Sequence, residues 1–190
     1  SLIVENAHHI ISSEPLQKGG RTDDFFFLES DGDAAQKLVC DLVTTRLPRS
    51  YGFDPIRDIQ VLCPTKLGPT GTQALNVELQ NLLNPEQKGK PQLQSASRVF
   101  RVGDKVMQVR NNYEIIWNRI GGEQGVGAYN GDIGIVESIN PRDRSMVVRM
   151  DDRRLIYPAE NLGELEIAYA ITVHKSQGSE FPAVILPVAQ

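Results

Sequence analysis

Ile59-Gln60-Val61-Leu62-Cys63-Pro64-Thr65-Lys66-Leu67-Gly68-Pro69-Thr70-Gly71 opens the stretch that decides the fold, and residues 72–84, TQALNVELQNLLN, complete it. Ile59 to Cys63 is a largely apolar run of strand length closed by Pro64. The glycines at 68 and 71 turn the chain, and Leu75, Leu79, Leu82 and Leu83 then recur at helical spacing. The unit is a buried strand, a turn and a helix. Upstream, Phe25-Phe26-Phe27-Leu28 has the composition of a strand buried on both faces. Ser30 or Asp31 is placed to cap a following helix that carries Leu38, Val39, Leu42 and Val43 and stops before Pro48. Strand-helix-strand-helix order predicts an α/β fold with a parallel, doubly wound sheet. At the start, Leu2, Ile3, Ala7, Ile10 and Ile11 predict a short helix ended by Gly19-Gly20.

Downstream the grammar changes near Arg98. Val102 to Arg110, Ile133 to Val136, Met146 to Met150 and Leu155 to Tyr157 are short strand-like runs. They are separated by turn signals at Asn130-Gly131-Asp132, Asn140-Pro141-Arg142-Asp143 and Asp151-Asp152. Short strands in close succession without helices predict a small antiparallel barrel. After Leu165 a strand near Ile167 to Ile171, a loop with a short helix around Ser176 to Glu180, and a buried strand Ala183 to Leu186 restore the first pattern. The expected organisation is a sheet in two parts, 1–97 and 165–190, with a barrel inserted at 98–164.

The chain has 190 residues, enough for one ordinary domain or a domain carrying an insertion. With 40% hydrophobic and 23% charged residues it has a globular composition. No apolar run reaches the roughly 18 residues of a membrane span, and no cleavable leader opens it, so a cytoplasmic protein without a membrane partner is expected. Cys40 and Cys63 lie in apolar segments without metal-ligand spacing, and no metal site is expected. His8 and His9 form no metal constellation either and are expected on a helix surface. The net charge is −4, which on average opposes a nucleic-acid partner. Between Arg98 and Arg119, however, Arg98, Arg101, Lys105, Arg110 and Arg119 face only Asp104 and Glu114. A local basic patch is one reading of that stretch, and solvated barrel charge the other.

The most informative segment is Thr172-Val173-His174-Lys175-Ser176-Gln177-Gly178-Ser179-Glu180-Phe181. A loop leaving the carboxyl end of a parallel strand and entering a helix exposes backbone N–H groups that suit an anion. Thr172 and Ser176 add hydroxyls, Lys175 and His174 add donors for a phosphate, Gly178 permits close approach, and Glu180 can accept from a sugar hydroxyl. The plain alternative is a polar loop whose Ser or Thr caps a helix.

These ten residues resemble motif V of superfamily 1 helicases, in the form found in RecD-like helicases, the group that includes the exodeoxyribonuclease V alpha subunit and the TraA conjugation helicases. Val61 to Lys66 with Gly68, Gly71, Thr72, Leu75-Asn76 and Leu83-Asn84-Pro85 is similar to the same group. So is Gly103 to Gln108 with Asn111-Asn112-Tyr113 and Tyr129 to Gly134. The resemblance covers most of the chain from Val61 onward. The opening SLIVENAHHI is similar to the segment following an arginine-bearing motif upstream in that family.

The resemblance implies a RecA-like second motor lobe of the P-loop NTPase type with an inserted Src-homology-3-like (SH3-like) barrel. It implies an ATP-dependent DNA helicase, with ATP and Mg2+ held in the full-length protein and none bound to this piece. The sequence holds no G-x-x-x-x-G-K-[ST] loop. No catalytic residue is therefore expected here, and the piece alone is expected to be without ATPase. Residue by residue, Thr65, Lys66, Thr172, His174, Lys175 and Ser176 would face single-stranded DNA, and Gly178, Ser179 and Glu180 the nucleotide. The implied partners are single-stranded DNA, the N-terminal RecA-like lobe of the same protein and other exodeoxyribonuclease V subunits. Tyr113 and Trp117 are candidates to stack on bases. The alternative is a non-catalytic nucleic-acid- or protein-binding module.

Overall fold

The computed structural model describes residues 1–188, so Ala189 and Gln190, at the end of the expected 165–190 segment, lie outside the described residues. It divides into Ser1–Asp31 and the chain from Gly32 onward.

In the first unit α1 spans Leu2–Ile11, as the spacing predicts. Ile3, Ile10 and Ile11 are nevertheless exposed, and the buried residue is Asn6. Its Nδ2 donates to the Gln17 carbonyl at 3.0 Å and its Oδ1 accepts the Gln17 N–H at 2.8 Å. Phe25–Leu28 is not the expected strand: it is irregular chain, with Phe26, Phe27 and Leu28 exposed. An apolar run becomes a strand only where another strand takes its N–H and C=O groups. Within this unit its neighbours are a helix and loop chain, and Lys18 lies 5.6 Å from the Phe27 ring centroid while donating to Glu29 at 2.7 Å.

The second unit begins with α2 (Gly32–Asp41). The expected stop before Pro48 does not occur. The helix widens into a π turn, Leu42–Arg46, and continues as α3 (Leu47–Tyr51), so Pro48 sits inside it. Pro48 lacks the N–H for the Thr44 carbonyl, and the π turn shifts the ladder just upstream, where the Leu47 N–H reaches the Leu42 carbonyl. Gly52 ends the helix in the left-handed region, its N–H on the Pro48 carbonyl at 2.9 Å.

The expected α/β architecture is present. β1 (Ile59–Cys63) is flanked by two parallel strands, β11 (Ala170–Thr172) and β12 (Ala183–Ile185), in the order β11-β1-β12. Between them lie α4 (Thr72–Leu83), a hairpin of β2 (Gln92–Ser95) and β3 (Arg98–Arg101), and an antiparallel sheet. That sheet comprises β4 (Lys105–Gln108), β5 (Asn112–Arg119), β6 (Gln124–Ala128), β7 (Ile133–Asn140), β8 (Ser145–Met150), β9 (Arg153–Tyr157) and β10 (Leu165–Ile167), ordered β10-β4-β7-β8-β9-β5-β6. Every one of its strands sends a side chain into one core, among them Val106, Ile115, Val136, Met146, Leu155 and Leu165, which a sheet achieves only by curling on itself. The turns expected at Asn130-Gly131-Asp132, Asn140-Pro141-Arg142-Asp143 and Asp151-Asp152 form at Asn130-Gly131, at Pro141 to Arg144 after Asn140 has ended β7, and at Asp151-Asp152.

The strand expected near Ile167 to Ile171 is two strands. Leu165–Ile167 pairs antiparallel with β4, and Ala170–Thr172 pairs parallel with β1. The crossing between sheets falls at Ala168-Tyr169, where Gln60 of β1 donates its Nε2 to both carbonyls at 3.1 Å. A second core packs Val39 of α2, Val43 of the π turn and Leu75 and Leu79 of α4 against Ile59, Val61 and Tyr169. No helix among the described residues is long and apolar enough to cross a membrane.

Candidate nucleic-acid interface

Two loops leave the same edge of the parallel sheet. Cys63 and Thr172 are register partners, so the segment after β1, carrying Thr65 and Lys66, and the segment after β11, carrying His174 and Lys175, start side by side. The first loop folds back on α4. The N–H groups of Thr72 and Gln73 donate to the carbonyls of Thr65 and Lys66 at 3.2 and 3.1 Å, satisfying donors that a helix start leaves unpaired. Gly71 makes this possible, because a Cβ there would lie 2.3 Å from the Leu67 carbonyl oxygen and 2.6 Å from that of Lys66. Thr65 Oγ1 donates to the Leu67 carbonyl at 3.0 Å, and the Thr65 and Lys66 side chains are exposed.

The second loop is braced by α4. Asn76 donates its Nδ2 to the Ala170 carbonyl at 2.9 Å and accepts the Ala170 N–H on Oδ1 at 2.8 Å. A side-chain amide thus supplies to the outer edge of β11 the pair of bonds another strand would give. Since α4 also carries the first loop on its start, both loops are tied to one helix.

The helix expected around Ser176 to Glu180 lies earlier and is smaller, a single 3-10 turn at Val173–Ser176. A helix dipole of that length contributes little, so any anion affinity rests on side chains and local N–H groups. Thr172 precedes the turn without making a side-chain cap hydrogen bond. Ser176 Oγ donates to the Val173 carbonyl at 2.6 Å and closes it. His174 is exposed; Lys175 is half-buried. The Lys175 Nζ donates to Asn130 Oδ1 at 2.8 Å and to the Val109 carbonyl at 3.3 Å. Gly178, Ser179 and Glu180 are exposed, and the Ser179 N–H turns back onto the Ser176 carbonyl at 3.0 Å. Phe181, which follows, stands 6.0 Å from Lys105 Nζ.

The basic patch read between Arg98 and Arg119 does not form, and Arg119 at its end is paired with Glu123 at 3.1 Å and Asp152 at 2.9 Å. Lys105 is buried, its Nζ donating to the Ile59 carbonyl at 3.3 Å, and burial pushes its pKa down to about 8 against the opposing pull of Asp54 and Asp58. Arg101 is buried and donates to Gln92 Oε1 at 3.1 Å and the Asn84 carbonyl at 3.3 Å. Arg98 donates to the Leu165 carbonyl at 2.8 Å. Arg110 is exposed but bound to Glu164 at 2.6 Å. The charges are spent inward because these residues join the hairpin and barrel to the rest of the unit. Trp117 packs against the barrel core with the Arg119 and Arg153 guanidiniums 5.4 and 5.7 Å from its ring, whereas Tyr113 is exposed, edge-on to Tyr129 at 6.0 Å. In the first unit His8 is exposed and His9 half-buried.

Sequence reasoning assigned no hydrogen-bonding part to Asn76, Asn130, Glu164 and Asp104, although the first two and Asp104 lie in segments it singled out. Glu164 is buried and takes Gln108, Arg110, Asn112 and Asn161. Burial works to raise its carboxyl, and these donors outweigh that and hold it below its ordinary value. Only a cluster of amide and carboxylate residues in otherwise apolar elements hinted at such hubs.

Residues 75–150 match the family model described as the SH3 domain of ATP-dependent RecD-like DNA helicases, and residues 167–190 that of the UvrD-like helicase C-terminal domain. The ATP-dependent RecD2 DNA helicase of Deinococcus radiodurans is 30% identical over 183 residues, 96% of this chain and 22% of that protein. The RecBCD enzyme subunit RecD of Mycobacterium tuberculosis is 29% identical over 131 residues, 69% of this chain and 20% of that protein. The chain spans about a fifth of the length of these relatives. Among solved structures, Pif1 helicase from Bacteroides in complex with ADP-AlF3 and ssDNA is 21% identical with a TM-score of 0.45, covering 81% of this chain and 39% of that one.

Proposed function

We propose, from the chain's similarity to the RecD-like DNA helicases, that it is a portion of the second motor lobe of an ATP-dependent DNA helicase. In this reading 1–97 and 165–190 belong to the RecA-like lobe and 98–164 to the SH3-like insertion, with Leu165–Ile167 still paired into the barrel sheet before the chain crosses over. Single-stranded DNA lies along Thr65, Lys66, Thr172, His174, Lys175 and Ser176, with Gly178, Ser179 and Glu180 toward the nucleotide. One observation carries it: two strand-end loops start side by side at Cys63 and Thr172, one offering an exposed lysine and the other an exposed histidine beside a lysine. A polynucleotide backbone needs such neighbouring donors, and phosphate contacts position it without reading sequence.

ATP and Mg2+ belong to the full-length protein. The exposed Glu180 carboxylate and Ser179 hydroxyl suit the hydroxyls of a ribose, and the 178–180 stretch brings no cation for phosphates. Bound nucleotide would supply the driving free energy; this chain's part is to hold the sugar at one end of the motif loop and the polynucleotide at the other, so that movement of the lobe moves DNA. Alone, the piece hydrolyses no ATP; turnover by purified fragment would refute that. The full-length protein works in the cytoplasm with its N-terminal RecA-like lobe and, in a nuclease complex, other exodeoxyribonuclease V subunits.

The test is Lys175→Ala and His174→Ala in the full-length protein. Each is expected to weaken single-stranded DNA binding and abolish unwinding, with Lys175→Ala lowering the salt slope of binding by about 0.7. Unchanged binding and unwinding would instead favour a non-catalytic binding module.

A further inference from the structure

Lys175 does not stand free in front of its loop. Both acceptors of its ammonium, Asn130 Oδ1 at 2.8 Å and the Val109 carbonyl at 3.3 Å, belong to the barrel sheet. Asn130 lies in the turn between β6 and β7, and Val109 directly follows β4. The backbone that carries each is fixed in turn. The Asn130 N–H donates to Asn111 Oδ1 at 2.9 Å, the next residue's N–H donates to the Gln108 carbonyl at 2.8 Å, and the Val109 N–H donates to the Glu164 carbonyl at 2.9 Å. Glu164 then gathers the side chains on either side of Val109, accepting from Gln108 at 3.0 Å and Arg110 at 2.9 Å.

An ammonium has three N–H donors in a tetrahedral array. Two directed into acceptors set on fixed backbone, the Val109 carbonyl and the short Asn130 side chain, leave the third with a preferred direction. A free lysine must surrender its rotamer freedom when it binds a phosphate; one already held has surrendered it on folding.

We propose that Asn130 is a positioning residue for polynucleotide binding: the barrel turn, together with the Val109 carbonyl, holds the Lys175 ammonium so that its remaining N–H meets a backbone phosphate. This rests on the reading that Lys175 contacts single-stranded DNA. It gives the inserted barrel a definite part in the grip, since the cation on the motif loop is oriented from outside that loop. The plain alternative is that the Asn130 to Lys175 bond only fastens the barrel to the sheet.

The experiment uses the full-length protein and a homopolymeric single-stranded oligonucleotide, with affinity measured across a salt series for Lys175→Ala, Asn130→Ala, Asn130→Asp and the double variant Lys175→Ala/Asn130→Ala. Asn130→Ala is expected to weaken binding by about three- to tenfold, the cost of immobilising one long side chain on binding, with its salt slope unchanged because the charge is still present. Asn130→Asp keeps an acceptor but sets a carboxylate on the ammonium, so both affinity and slope should fall. The double variant should bind no more weakly than Lys175→Ala alone. Asn130→Ala that binds as the unaltered protein does, or a loss that adds in full to that of Lys175→Ala, would overturn the proposal while leaving the DNA reading intact. Lys175→Ala with undiminished binding would remove that reading and this inference together. Should Asn130→Ala fail to fold, Asn130→Ser decides, since it shortens the side chain out of reach of the ammonium without adding charge: binding weakened with an unchanged slope supports the proposal, and binding like that of the unaltered protein overturns it.

Discussion

At the scale of single residues, what a charged group does is settled by which acceptors reach it. Lys105 opens β4 and Lys175 stands in the 3-10 turn after β11; one ammonium is buried on the Ile59 carbonyl and the other lies at the edge beside an exposed loop. Burial holds Lys105 at about 8, below the ordinary 10.5. Between those values the unfolded chain binds more protons than the folded one, so this residue's contribution makes stability rise with pH there; the penalty is complete below about 8 and vanishes above 10.5. Cys63 acts in the opposite sense above pH 9, because burial pushes its thiol up to about 11. Taking the unaltered protein from pH 8 to 9 should therefore raise its unfolding free energy by about 1 kcal/mol relative to Lys105→Met, as read by urea unfolding at both pH values. Parallel behaviour of the two proteins would rule this out.

At the scale of elements, local pattern held where a neighbour could meet it. Ile59–Cys63 became a strand because β11 and β12 lie on its two sides; Phe25–Leu28, more apolar still, did not, because its unit offers it no strand. Pro48 was accommodated in a helix by one π turn that no periodicity announces. The hairpin of β5 and β6 shows a requirement of another kind. Trp117 and Gly125 are register partners, and a Cβ at 125 would come within 2.2 Å of the indole Cζ2. Gly125→Ala must push the indole off the strand, at a cost of about 1–3 kcal/mol. Because Trp117 is the only tryptophan, the displacement is readable as a red shift in intrinsic fluorescence together with a lowered unfolding midpoint. An unshifted spectrum would show that the ring does not lie against residue 125.

At the scale of the whole molecule, the second unit is one body because buried polar groups cross its internal boundary. Asp104, fully buried, accepts from Gln80 of α4 and Asn84 just past its end, each at 2.8 Å, from the Arg101 N–H at 2.7 Å and from the Tyr169 hydroxyl at 2.7 Å. The helix that braces both loops, the start of the barrel and the crossing into β11 thus share one carboxylate. Asp104→Ala would strand these donors in the interior and should cost about 3 kcal/mol or more, well beyond the loss of a surface contact. Chemical unfolding measures it, and a cost below about 1 kcal/mol would mean that water replaces the carboxylate without loss.

Much of this was legible in the chain itself. The strand at Ile59, the helix at Leu75, the run of short strands after Arg98 and the polar loop at Thr172 are written in periodicity, turn chemistry and motif, because each depends on residues within one element's reach. Only the tertiary structure decided where the cations of residues 98–110 point, that the stretch 167–171 serves two sheets, and that Asn76, Asn130, Glu164 and Asp104 are the joints. These outcomes rest on hydrogen bonds between groups tens of residues apart, and a buried donor takes whichever acceptor the fold brings to it, a choice that neither spacing nor composition records.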